Sequence, residues 1–174
     1  MKVTLLEASG LLKTKGKIIE FMQDNFPSIK FSINSDLSVD VTGDVKYILK
    51  KPFPIQFGKV TGNFYCSNND LVTLKGAPKE VGGGFYCSYN KLINLEGAPK
   101  VVGGSFHCFN NNLITLKGAP KEVNSDFYCH NNKLTSLKGA PKEVDGHFDC
   151  SNNARKFLRT DVEEVCKVTG LIYI

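Results

Sequence analysis

Six cysteines and three histidines are the residues of this chain best suited to chemistry. Thiolates and imidazoles can bind a soft metal, and cysteine pairs can form disulfides. The spacing of the cysteines argues against both. Cys66, Cys87, Cys108, Cys129 and Cys150 recur every 21 residues, each two positions after a phenylalanine: Phe64, Phe85, Phe106, Phe127 and Phe148. Neighbours in such a column hold their Cβ atoms roughly 4.8 Å apart, the spacing of paired strands. A disulfide prefers about 3.5–4.5 Å, and zinc needs ligands converging from different directions, which a straight column does not offer. Reduced, buried cysteines acting as small apolar side chains are expected.

The histidines step diagonally from His107 to His130 to His147, with Asp126 and Asp149 between or beside them. Imidazole and carboxylate are the right groups for a metal or for acid–base catalysis. However, outward positions along a strand lie nearly 7 Å apart and adjacent strands about 4.8 Å, so few pairs converge on one ion. No insertion forms a pocket that excludes water. Neither a catalytic residue nor a metal or cofactor is expected, although titration of these imidazoles near neutral pH would make binding pH-sensitive.

The element that positions all these groups is a 21-residue repeat. Counting from each Phe, Asn recurs at plus 5 (Asn69, Asn90, Asn111, Asn132, Asn153) and Leu at plus 7 (Leu71, Leu92, Leu113, Leu134). Leu follows at plus 10 (Leu74 to Leu158), then Gly-Ala-Pro from plus 12 and Val at plus 17 (Val81, Val102, Val123, Val144). Such a unit cannot bury its apolar face alone and must stack on its neighbours as a solenoid. Phe-x-Cys alternation predicts a strand with Phe and Cys inward. In-register parallel stacking then puts Phe on Phe and Cys on Cys. Asn ends the strand and can donate to and accept from otherwise unpaired backbone groups. Gly-Ala-Pro returns the chain along an extended back.

The flanks read as caps: residues 1–44 at the start, rungs over 45–154, and 155–174 at the end. Lys17 to Asn25 places Ile18, Phe21 and Met22 on one helical face and stops before Pro27. Phe31 and Ile33 alternate, Asn34-Ser35-Asp36 turns, and Leu37, Val39 and Val41 alternate back as a hairpin. Val45 and Tyr47 form a degenerate rung. At the far end Ile172 and Ile174 form a last rung, and the three-residue insertion before it predicts a short helix with a Thr160/Glu163 capping box. The fold expected is a β-dominated solenoid of about seven rungs with a helix-hairpin cap.

This unit resembles a leucine-rich repeat, with Phe and Cys in two of its strand Leu positions and Asn in its ladder position. The phrases GAPKEV and FYCSNN are similar to the short-repeat proteins carried by tailed bacteriophages. That resemblance implies a protein-binding module acting in the host cytoplasm on a bacterial protein, such as a defence component that it inhibits or redirects. Bacterial effectors with similar repeats carry a ubiquitin-ligase domain after the solenoid. This sequence ends two residues after Ile172 and has GAPKEV where they carry a Leu-Pro-rich phrase, so no such activity is expected.

Offsets minus 1, plus 1 and plus 3 point outward, and function belongs where the copies disagree. Plus 1 reads Tyr65, Tyr86, His107, Tyr128 and Asp149, with Tyr173 continuing it; plus 3 includes Phe109 and His130; minus 1 includes Asp126 and His147; Tyr89 lies nearby. A lysine-free surface rich in Tyr has the composition of a protein-binding patch, although cross-strand stacking alone could retain those rings. The other candidate is the strip from plus 11 to plus 16. There Lys75, Lys79, Lys100, Lys117, Lys121, Lys138, Lys142 and Arg159 face Glu80, Glu96, Glu122 and Glu143, a balance of plus 4 in a chain of net charge plus 5. It could follow a nucleic-acid backbone, but it lacks aromatic residues and interleaves Glu, so a solvated edge is expected. A structural part of a virion is the remaining alternative. Val3 to Leu6, interrupted by Glu7, is neither a secretory core nor a membrane span.

Overall fold

The repeat closes because each strand is short and each corner is built from residues that tolerate it. A computed structural model describes residues 10–174; the Val3 to Leu6 patch lies outside them. The elements are α1 (Lys15–Asn25), β1 (Lys30–Ile33), β2 (Val39–Thr42), β3 (Val45–Lys46), β4 (Phe57–Val60) and β5 (Phe64–Tyr65). The repeats then alternate β6 (Glu80–Val81), β7 (Phe85–Tyr86), β8 (Val101–Val102), β9 (Phe106–His107), β10 (Glu122–Val123), β11 (Phe127–Tyr128), β12 (Glu143–Val144) and β13 (Phe148–Asp149). α2 (Arg159–Glu163), β14 (Lys167–Val168) and β15 (Ile172–Tyr173) complete the order.

These strands form two sheets, where the periodicity predicts one sheet and an extended back. The Phe strands make a seven-stranded parallel sheet in the order β15-β13-β11-β9-β7-β5-β3. The return-path strands, each ending on Val, join the hairpin in a second sheet, β1-β2-β4-β6-β8-β10-β12-β14, parallel except for the β1–β2 hairpin. Each period therefore contributes one strand to each sheet, and the result is a β-solenoid of about six turns. Register is strict in the Phe sheet, with Phe64 on Phe85, Phe85 on Phe106, Phe106 on Phe127 and Phe127 on Phe148. The gain comes from burial: Phe64, Phe85, Phe106, Phe127 and Phe148 are all 0% exposed, and each is worth about 1.5–3 kcal/mol of transfer free energy.

Asn at plus 5 ties successive turns together. The Asn111 amide donates to the Cys87 and Cys108 carbonyls at 3.0 and 3.1 Å, and its oxygen accepts from the Leu92 N–H at 3.0 Å. Asn90 accepts from two N–H groups, those of Asn69 and Leu71. Glycine is required at Gly118, where φ is +98° and an added Cβ would sit 2.3 Å from the Leu95 carbonyl oxygen.

In the caps, Thr14 accepts from the Lys17 N–H to start α1, whose Ile18 and Met22 are buried. The hairpin forms, but Leu37 lies in its turn with φ 64° rather than in the strand. Val45 and Tyr47 are both fully buried. Three expectations at the far end are corrected. Leu158 is 60% exposed, and Phe157, one position earlier, takes the inward place at 1%. No reciprocal box opens α2: the Asp161 carboxylate accepts from the Leu158 N–H at 2.7 Å, Leu158 has no side-chain acceptor to return the bond, and Glu163 pairs with Arg159. Ile174 remains 44% exposed on the last rung instead of entering the core.

Candidate functional site

The outward face of the Phe sheet carries a continuous run of rings. At plus 1, Tyr65 stacks on Tyr86 (centroids 4.8 Å), Tyr86 meets His107 edge to face (4.9 Å), and His107 stacks on Tyr128 (4.7 Å). At plus 3, Phe109 stacks on His130 (4.6 Å, 9° between planes) and also approaches His107 at 5.9 Å. Tyr89 packs edge to face on Phe109 at 5.4 Å. In-register parallel pairing makes this network possible, since it brings identical offsets to adjacent strands.

Tyr89 is the member that the backbone does not favour. The plus 4 position has positive φ in every copy, 57° at Asn68, 55° at Tyr89, 52° at Asn110 and Asn131, and 51° at Asn152. Asparagine tolerates that region and tyrosine does not. Tyr89 nevertheless holds it while 53% exposed. One rung before Phe109, Ser88 is 2% exposed rather than outward-facing, and its hydroxyl has no hydrogen-bond partner among the described residues. The ring cluster therefore occupies a place where both the backbone and a buried hydroxyl are worse off than in the other copies.

Offset minus 1 does structural work. Asp44 accepts from the Asn63 N–H, Asn63 from the Gly84 N–H, Asp126 from the His147 N–H, and His147 Nδ1 from the Leu171 N–H at 2.9 Å. Asp126 and His147 are thus partly committed to starting the next strand. The last contact leaves the proton of a neutral His147 on Nε2. Asp149 Oδ1 accepts from the Ser151 N–H and hydroxyl at 2.9 and 2.6 Å, and Oδ2 lies 3.1 Å from His130 Nδ1.

Burial sets the charge states on this face. It holds the His107 imidazole below its ordinary value, against the opposing pull of the Asp126 carboxylate. It also raises the Tyr86 and Tyr128 phenols, with the Asp126 charge adding to the shift at Tyr128, so both are neutral hydroxyls. Among the described residues no three His, Cys, Asp or Glu side chains converge as a metal site. All six cysteines are free and buried.

Three of the eight cations of the lysine strip are paired: Lys79 with Asp36 at 2.6 Å, Lys117 with Glu96 at 2.7 Å and Arg159 with Glu163 at 2.8 Å. Beside the strip, Lys167 pairs with Glu143 at 2.5 Å and Lys59 with Glu80 at 3.9 Å. Two shallow grooves, of about 340 and 360 Å³, lie at the hairpin and beside α2, away from the rings. A further exposed apolar stripe runs at plus 8 through Val72 (60%), Ile93 (53%) and Ile114 (59%). The sequence signals it as three β-branched apolar residues at one offset beside an inward Leu, a pattern that inward-facing reasoning passes over. No described helix is long and apolar enough to cross a membrane. No family model, curated protein or solved structure matches this chain.

Proposed function

We propose that this chain is a non-enzymatic binding module of leucine-rich repeat type that docks a protein on the Tyr/His face of its Phe sheet. One observation carries the reading: Tyr89 is held in a left-handed conformation, where the other copies use Asn, in order to extend the ring cluster. Strain at a surface position that the core does not need is characteristic of sites kept for contact. Rigid amphipathic rings supply area at low entropic cost, and Tyr65, Tyr86, Tyr89, His107, Phe109, Tyr128 and His130 supply it contiguously. The wording of the repeat, similar to that of phage-borne short repeats, favours a bacterial protein as the target and the cytoplasm as the place.

The test is recovery of partners from bacterial lysate by the wild type and by a triple variant, Tyr86→Ala, His107→Ala and Tyr128→Ala, with circular dichroism to verify its fold. A protein held by the wild type and lost by the folded variant supports the reading. Equal recovery by both removes the face from consideration.

A further inference from the structure

The ring column at plus 1 has one interruption. It runs Tyr65, Tyr86, His107, Tyr128, then Asp149, then Tyr173, with Tyr128 paired to Asp149 and Asp149 to Tyr173 in register. Tyr128 therefore has an imidazole on one side and no ring on the other. Two strand spacings, about 9.6 Å, separate it from the next ring of the column at Tyr173, which the His147 ring meets edge to face at 5.9 Å from the minus 1 side. A planar cation in van der Waals contact with a ring on each side needs about 7–8 Å.

The floor of this gap is anionic. Its Ser151 and His130 contacts draw the Asp149 carboxylate toward the plus 3 side, and its side chain is 20% exposed, so the charge is partly removed from water. Asp126 stands on the minus 1 side, with one oxygen on the His147 N–H. No lysine or arginine occupies offsets minus 1 to plus 5 in any of the five repeats, in a chain of net charge plus 5.

We propose that this gap is a seat for an arginine side chain of a protein partner, its guanidinium lying between Tyr128 and Tyr173 above Asp149. Arginine suits it better than lysine because the guanidinium is flat, weakly hydrated and able to stack on a ring while it forks onto a carboxylate. This deepens the reading of the face as a docking surface and rests on it.

Amide chemical shifts of the full chain report the test directly, with the tripeptide acetyl-Gly-Arg-Gly-amide as the probe. Shifts centred on Tyr128, Asp149, Ser151 and Tyr173 are expected. The isosteric citrulline peptide, the lysine peptide, and the Asp149→Asn and Tyr173→Ala variants should each weaken binding several-fold or more. Asp149→Asn keeps the acceptor for Ser151, so a loss of binding there reads charge rather than fold. Citrulline binding as well as arginine, no response at these amides, or shifts scattered over all surface carboxylates would overturn the proposal. Lysine binding equally well would overturn the assignment to arginine. A silent gap alongside a partner still lost by the triple variant would leave the face as the docking site and remove only the arginine seat.

Discussion

Tyr89 and Phe109 meet edge to face at 5.4 Å, and Tyr89 keeps a φ of 55° to make that contact. The ring pair is worth about 0.5–1.5 kcal/mol, and the backbone cost of a left-handed tyrosine is of similar size, about 1–2 kcal/mol. The contact does not stabilise the fold on balance. Tyr89→Asn should therefore leave stability unchanged or raise it by up to about 1 kcal/mol, read from urea unfolding, while weakening partner binding. A loss of more than about 1 kcal/mol would make Tyr89 a structural residue.

The Asn column should behave in the opposite way. Asn90 accepts from two buried N–H groups and donates to the Cys66 and Cys87 carbonyls, so Asn90→Ala strands several buried polar groups at once. A loss of about 3 kcal/mol or more is expected by denaturant titration, against less than about 1 kcal/mol for the exposed Thr135→Ala.

Thiol labelling should follow burial. Burial pushes Cys66, Cys87, Cys108 and Cys129 far above the ordinary thiol value, Cys150 up to about 12 and Cys166 up to about 11. With a soluble disulfide reagent at pH 8, Cys166 should react first and Cys150 next. The other four should react only at the rate of unfolding, as mass spectrometry can resolve by site.

Acid should cost stability through His107. Burial lowers its folded-state value, so below about pH 6.5 the unfolded chain takes up the proton first. The stability it contributes is whole above that pH, is lost as pH falls toward the folded value, and is constant below it. Urea midpoints at pH 7.5 and 5.0 should differ more in the wild type than in His107→Gln.

Much of the fold is written in the repeat. Phe at zero, Cys at plus 2, the two Leu and Val at plus 17 are inward because period-2 and turn chemistry leave them no other place. The second sheet was not legible, since a two-residue Glu-Val pair carries no periodicity of its own and pairs only because stacking aligns it. Phe157 takes the inward place expected of Leu158 one position early, which a fixed 21-residue count does not anticipate. The face was visible as composition, but the hydrogen bonds of Asp126 and His147 to the next strand were not, as they depend on which backbone N–H lies above each side chain. The Tyr89 conformation could have been read by comparison, for Asn holds that offset in every other copy.

The most direct test of the central claim is site-specific photocrosslinking in bacterial cells, with a benzophenone amino acid at Tyr89 or, on the other sheet, at the 56% exposed Val101. One discrete crosslinked protein from position 89 and none from position 101 is the predicted result. The same product from both positions, or a product from Val101 alone, would contradict the account.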